Sequence, residues 1–340
     1  MDRGVLPDHA NGIGVGHRGC VHGHRYTAAM ARIFVEGWAP EYGSPLDPAA
    51  ALVPSVGSVD PTVETDDWDP VEGVDDAVPS IAFVDGVRRI DARLTLDDPV
   101  EGPIPGLCGT FAVGATLWDR EGRRSEVTNV RVQRWAVLAG GRPEVMPTVA
   151  LSPGYDTTAC ASSDPADLVT ELQTRMRRAE GVTASAMASD CFVVADGPLN
   201  DVTAHPTVGY IKTHQVTYLD PDRRAIVAQL APGQRTPLFT IWDYKRYSWY
   251  LRLAVLQGGH SWTGVVRCEA SGQLPLDEVR TIADRTAAVL PLVASEAHMD
   301  PRAPQNLVPI AALEHELRHR MGDARLVYRA LREAVMAEAS

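Results

Sequence analysis

Cysteine is scarce in this chain, and the few present have no framework spacing. The five (Cys20, Cys108, Cys160, Cys191 and Cys268) are odd in number, scattered, and nowhere arranged as CxxC. Neither a disulfide scaffold nor a zinc ribbon is therefore expected, and the usage fits a reducing, cytoplasmic setting. Long apolar runs are also missing. The longest, around Thr286 to Ala297, is too short for a span and is broken by Pro291, and no apolar leader-like stretch opens the chain. No membrane segment and no export are expected. Positive charge is in deficit: 32 Lys and Arg stand against 44 Asp and Glu, a net charge of −12 with a pI near 5.3. That balance excludes a protein that coats nucleic acid through a uniformly basic surface, but not one with a local basic groove or a basic partner. There is no GxSxG, no supported Cys–His pair, no P-loop and no GxGxxG, so nothing points to a nucleophile elbow, an NTPase or a dinucleotide enzyme. What remains is an ordinary globular composition over 340 residues, 45% hydrophobic and 22% charged, enough for one large or two ordinary domains.

Two stretches stand out against that background. Cys191-Phe-Val-Val-Ala-Asp196 is a short apolar run that ends in an acid and is broken at once by Gly197-Pro198, and Ile81-Ala-Phe-Val84 runs in the same way into Asp85-Gly86. Apolar runs of this length bounded by turn residues read as buried strands, each delivering an aspartate to the sheet edge.

Taken in order, the chain opens with a Gly- and His-rich segment holding His17, Cys20, His22 and His24. No second ligand cluster follows at finger spacing, so a loosely packed tail is expected rather than a metal site. Pro48 to Pro79 is Pro-rich and acidic, the composition of a solvated linker. Residues 1–79 thus read as an extension and linker, and 80–340 as the folded domain. Strands are predicted at Ile81–Val84, Arg89–Leu96 and Gly109–Trp118, an antiparallel meander. Asp164-Pro165-Ala-Asp167 is a helix start, with a capping acid, proline in the first turn and a further acid behind it; the helix should run to about Met187. The Asp196 strand and Val208–His214 follow. In a β-β-β-α-β-β order the right-handed crossover lays the fourth strand parallel to the first, which puts Asp196 beside Asp85. Further strands are expected at Pro237–Trp242, Trp249–Leu256 and Trp262–Arg267. A helix over Pro275–Leu292 and a long amphipathic helix from Pro309 to about Ala339, interrupted near Gly322-Asp323, complete the prediction. The fold class is α/β: a ribonuclease-H-like mixed sheet flanked by helices, with an added β-rich portion and a long C-terminal helix.

Adjacent parallel strands lie ~4.8 Å apart, so level aspartates on the two can share ions ~3.5–4 Å apart, the separation used in two-metal phosphodiester cleavage. Such oxygen ligands suit Mg²⁺ or Mn²⁺. On the preceding helix Leu168, Leu172, Met176, Ala179 and Thr183 form one stripe; Glu180 lies at its edge and Glu171 further round, which makes Glu180 the better third acid.

The sequence resembles the NurA nuclease family. The resemblance is carried by Phe83-Val-Asp85-Gly86, Arg178-Ala-Glu180, Val194-Ala-Asp196-Gly197-Pro-Leu199, Val208-Gly-Tyr-Ile-Lys212-Thr213, Trp249-Tyr-Leu-Arg252 and Pro309-Ile-Ala-Ala-Leu-Glu314, in that order over roughly residues 80–330. It implies a ribonuclease-H-like fold and an Mn²⁺-dependent nuclease acting on DNA ends and single strands. It further implies a homodimer that works with HerA, a hexameric DNA-translocating ATPase, in end resection or anti-phage defence. By it Asp85, Glu180 and Asp196 would be metal ligands and Lys212 a family lysine that could meet phosphate. The family usually has histidine where this chain has Glu314, and His315 comes one residue late. On a helix Glu314 lies about 40° from Ile310 and His315 about 140° away, which favours Glu314.

Tyr244-Lys245-Arg246-Tyr247, with Trp249, Tyr250 and Arg252, mixes cations and rings as single-strand-binding surfaces do. The alternative is a hairpin whose aromatics fill the core, expected for Trp249, while Lys245, Arg246 and Arg252 are candidates for DNA contact. Two other functions stay open: a catalytically silent adaptor of the same fold on the ATPase, and a hydrolase of small phosphate esters.

Overall fold

The computed structural model describes residues 58–98, 101–141, 146, 148–199, 207–214, 216–241 and 245–338. The His17, Cys20, His22 and His24 cluster lies outside the described residues. The described part of the acidic, Pro-rich stretch is laid on the domain rather than solvated. Within it β1 (Val59–Asp60) and β2 (Val71–Glu72) pair with later strands. Its acids meet arginines of the domain: Glu64 holds Arg235, while Asp75 and Asp76 hold Arg120 and Arg285. Gly73 approaches the end of a later helix so closely that a Cβ there would fall 2.4 Å from the Ala288 amide nitrogen. The linker reading failed because charge density alone does not reveal that the partners are arginines distant in sequence.

The centre is a meander of long antiparallel strands, β3 (Ser80–Asp98), β4 (Gly102–Asp119) and β5 (Arg124–Leu138), with β6 (Tyr155–Ala159) parallel to β5 at the sheet edge. Asp85-Gly86 is not a turn. The strand runs straight through it and joins the two segments predicted as separate strands. Helix α1 (Pro165–Met187) begins where expected, with the Asp164 side chain accepting from the Ala166 amide at 2.8 Å. Leu168, Leu172 and Met176 bury one stripe of α1 against Phe111 and Val113. Next come β7 (Phe192–Asp196) and β8 (Thr207–Ile211), both parallel to β3; the pairing of β7 with β3 runs from Ile81↔Phe192 to Val84↔Ala195.

The chain continues through α2 (Pro221–Gln229), β9 (Gln234–Arg235), β10 (Phe239–Ile241), β11 (Arg246–Arg252) and β12 (Val265–Ser271). It closes with α3 (Leu276–Val289), a 3₁₀ turn over Leu290–Val293, α4 (Val308–Arg320) and α5 (Ala324–Glu338). The twelve strands among the described residues form one mixed sheet, ordered β1-β10-β11-β12-β8-β7-β3-β4-β5-β6, with β9 and β2 branching from β11. Side chains alternate across it. Phe83, Val194, Tyr210, Trp249 and Cys268 point to a core with Ile282 of α3 and Ile310 of α4. Ala82, Val84 and Val193 point the other way, to α1, and Tyr250 and Val265 to Val227 of α2. The predicted C-terminal helix is broken at Gly322, whose φ of 80° is left-handed. Tyr328, beyond the break, falls on α5 and is exposed. No helix among the described residues is long and apolar enough to cross a membrane.

Candidate metal centre

The parallel register carries the site. Because Val84 pairs with Ala195, the next residues on the two strands, Asp85 and Asp196, stand at one level on the α3/α4 face. Helix α4 crosses that face with Leu313 and Leu317 packed on Val87 and Ala112, which turns Glu314 inward. One ligand oxygen from each of Asp85, Asp196 and Glu314 lies within 4.8 Å of the others. Glu180 reaches the cluster from α1, on the opposite face. It can do so because Gly86 has no side chain: a Cβ there would sit 2.4 Å from Glu180 Oε1.

The electrostatics are those of too many carboxylates in too little water. Asp85 is buried, and its carboxyl is pushed well above the usual range by that burial first and by the charges of Asp196, Glu314 and Glu180 after it; Lys212 opposes them. Its Oδ1 accepts from the Gly86 amide at 2.7 Å. Glu180 is pushed up to about 7 by burial, with Arg177 pulling down and Asp196 pushing up. Glu314 differs: burial raises it, but the Arg302 hydrogen bonds and the charges of Lys212 and Arg302 outweigh that and hold it low.

A polar lattice fixes these groups from behind. Lys212 Nζ donates to Asp196 Oδ2 at 2.7 Å and to Asn306 Oδ1 at 2.8 Å. Asn306 Nδ2 donates to Asp300 Oδ2 at 2.7 Å. Arg302 joins Asp300 at 3.0 Å and forks onto both oxygens of Glu314 at 3.1 Å, and Arg318 adds a bond to Glu314 at 2.9 Å. Burial acting upward on Asp300 is outweighed by Arg302 and Asn306, which hold its carboxyl at about 2.

The structure thus brings together Asp85, Asp196, Glu314, Glu180 and Lys212. It leaves His315 exposed on the outer side of α4. Glu171 is paired with Arg175 at 2.9 Å, more than two turns of α1 before Glu180. Lys212 is not the strand-end phosphate contact expected of it: it is buried among oxygens because β8 delivers it directly behind Asp196. Arg252 is likewise not a surface cation. It is buried and donates to the carbonyls of Thr263, Ala228 and Ser261 at 2.8, 3.0 and 2.7 Å, tying loops together. Arg246 is half-buried and donates to Leu199 O at 3.1 Å, whereas Lys245 is exposed. Trp249 fills the core and donates to Thr286 Oγ1.

Asn306, Asp300 and Arg302 give no sign of their role in the sequence, because they sit in a stretch without periodicity. Arg177 was also missed, although it lies three residues before Glu180 on the same helical face, a spacing that could have revealed it. The Arg177 guanidinium covers Gly197, where a Cβ would fall 2.4 Å from Nη1.

No family model and no curated protein matches the chain. Among solved structures it is similar to the catalytic domain of human endonuclease V. The TM-score is 0.30 at 11% identity, over 74% of this chain and 90% of that one. A likeness of that size leaves the reading to the site's own geometry. That geometry fits a hard divalent cation: converging carboxylate oxygens, one of them raised by its neighbours' charge, hold an excess of negative charge that a bound ion would relieve.

Proposed function

We propose that this chain is a metal-dependent nuclease of the NurA type. The observation that carries the reading is the convergence of Asp85, Asp196 and Glu314 at the level where two parallel strands meet α4, with Glu180 reaching in over Gly86. The succession β3-β4-β5-β6-α1-β7-β8, with β6 added at the sheet edge and β7 parallel to β3, supports the ribonuclease-H-like part of it. Asp85, Asp196 and Glu314 would hold Mn²⁺, or Mg²⁺, with Glu180 beside them. Such an ion, when bound, supplies a nucleophilic water at neutral pH and neutralises charge on a phosphodiester.

The chain's own residues do the rest. Lys212 holds one oxygen of Asp196, and Asn306 fixes Lys212 in turn. Arg302 and Arg318 keep Glu314 ionised and aimed. Glu180, with a carboxyl near 7, can take or release a proton near neutrality. In this reading the substrate is DNA, at ends and in single strands, the working form is a homodimer, and a HerA-like hexameric translocase delivers the DNA.

The test is digestion of linear and single-stranded DNA with and without Mn²⁺, by the wild type and by Asp85→Asn and Asp196→Asn. Each variant should lose cleavage by at least ~100-fold while staying folded, since loss of an outer-shell contact alone costs ~10–100-fold. Wild-type rates in either variant would remove the shared-ion model. Hydrolysis confined to small phosphate esters, or none at all, would put the simple hydrolase or the silent adaptor in its place.

A further inference from the structure

A second concavity lies beyond the end of β8, on the α1/α2 face of the sheet, and the acidic centre makes no use of it. Its walls include the rings of His214, Tyr218, Tyr250 and Trp262, and its volume is about 190 Å³. Trp262 packs edge-on against His214 at 5.0 Å and against Tyr250 at 5.3 Å between centroids, so aromatic surface faces the cavity beside Val216 and Leu219. The volume falls below the ~300 Å³ at which pockets for drug-sized ligands begin. It suits one flat ring system, not a dinucleotide.

The polar groups suit the same guest. His214 Nε2 lies 3.0 Å from the Val265 carbonyl oxygen, which can only accept. The ring proton therefore sits on Nε2 and Nδ1 is left as an acceptor. Burial holds this imidazole down to about 4, which keeps it neutral at physiological pH. The hydroxyls of Tyr218 and Tyr250 make no hydrogen bond among the described residues, so each can donate or accept. Arg224, on exposed α2, lines the cavity too and forms no ion pair among the described residues.

Position favours a base over a free ring. The chain leaving β8 passes from Lys212, bound to Asp196 on the α3/α4 face, to His214 on the other face within two residues, so the acids and the cavity share one edge of the sheet. A single strand that rounds this edge could lay a base here some nucleotides away from a phosphate at the acids. We propose that the cavity takes one unpaired base of a single-stranded nucleic acid whose backbone rounds the sheet edge from the acidic centre, with Arg224 meeting a phosphate. The inference rests on the nuclease reading for the direction of the strand. A paired base could not enter without leaving its stack.

The experiment uses the full chain in chelator, so that nothing is cut, and a short single-stranded deoxyoligonucleotide carrying 2-aminopurine. Quenching on the rings should be strong at one position of the strand and absent for the duplex. An abasic site at that position should weaken binding about tenfold, as should Trp262→Leu and Tyr218→Leu, the usual loss for one stacked base. A free nucleoside monophosphate should bind more weakly than the strand. The abasic comparison uses wild-type protein, so it decides the matter even if a variant fails to fold. The proposal is overturned if the abasic strand or the monophosphate binds as tightly as the intact strand, or if no single strand binds. Mn²⁺-dependent cleavage without quenching would sink the base site and spare the nuclease. Quenching with abasic sensitivity but no cleavage in Mn²⁺ would do the reverse.

Discussion

Under the proposed NurA-type reading Glu314 stands where a histidine is usual, and its surroundings say what a glutamate does there. A glutamate there brings a fixed negative charge from α4, held by the Arg302 fork and by Arg318. Glu314→Gln keeps the volume and removes the charge, so Mn²⁺-dependent cleavage should fall by at least ~100-fold. His315→Gln, one residue on and exposed, should stay within ~0.5 kcal/mol in stability and near the wild-type rate. The opposite ranking in a paired cleavage assay would show that the histidine serves the site.

Glu180 gives a second measurement at the same scale. Its carboxyl is raised from 4.5 to about 7, so the folded chain keeps a proton that the unfolded chain gives up in that interval. Stability of the metal-free protein should therefore fall as pH rises from about 4.5 to about 7 and level off above. A shift of this size is worth on the order of 3 kcal/mol, and Asp85, also raised, adds in the same sense. Glu180→Gln should flatten the profile and raise the metal-free melting temperature near pH 7.5. Mn²⁺ should stabilise the wild type increasingly with pH, because the ligands must be deprotonated to bind it. A metal-free melting temperature that climbs between about pH 5 and 7.5 would contradict the crowded-carboxylate account.

At the scale of elements, most of what places the site could be read in advance. The cap and length of α1, the parallel placement of β7 beside β3 and the inward face of α4 all follow from local signals: a capping acid, an apolar run, helical spacing. What could not be read is non-local. Asp85-Gly86 has turn chemistry, yet here the glycine lies within a strand because its missing Cβ makes room for Glu180, a contact between residues 94 positions apart. Asp300, Arg302 and Asn306 carry no periodicity, and only the folded chain sets them behind Lys212. The acidic stretch is the clearest case. Glu64 forks onto Arg235 with both contacts at 2.9 Å, accepts from the Leu238 amide at 2.6 Å, and lies near Arg280. Arg235 is almost wholly buried. Glu64→Ala would leave that guanidinium with Asp284 alone, at 2.7 Å, so the loss should be clear but below the roughly 3–5 kcal/mol of a buried pair broken outright. The expected result is a clear drop in melting temperature, with new proteolytic cleavage within residues 58–79. A change under ~0.5 kcal/mol would restore the linker reading.

For the whole molecule the governing quantity is the net charge of −12, together with where its cations are spent. Only two of the 32 basic residues are lysines, and one of them, Lys212, is buried in the acidic centre. Arg235, Arg267, Arg285 and Arg302 are each paired with carboxylates of their own chain. Phosphate binding to duplex DNA draws on cations that release counterions, so a surface with this excess of acids should bind it weakly and with a shallow salt dependence. The protein alone should bind duplex DNA no more tightly than about 10⁻⁴–10⁻⁶ M near physiological salt, and binding to ends should be limited to what one base cavity and a few arginines supply. A hexameric translocase that threads DNA to the site would replace that missing affinity with a high local concentration. Adding a HerA-like ATPase and ATP should therefore accelerate Mn²⁺-dependent digestion of linear duplex far more than digestion of short single strands, which in the proposed reading need no threading. Equal acceleration of both substrates, or tight salt-sensitive duplex binding by the protein alone, would show that its surface gathers DNA without a partner.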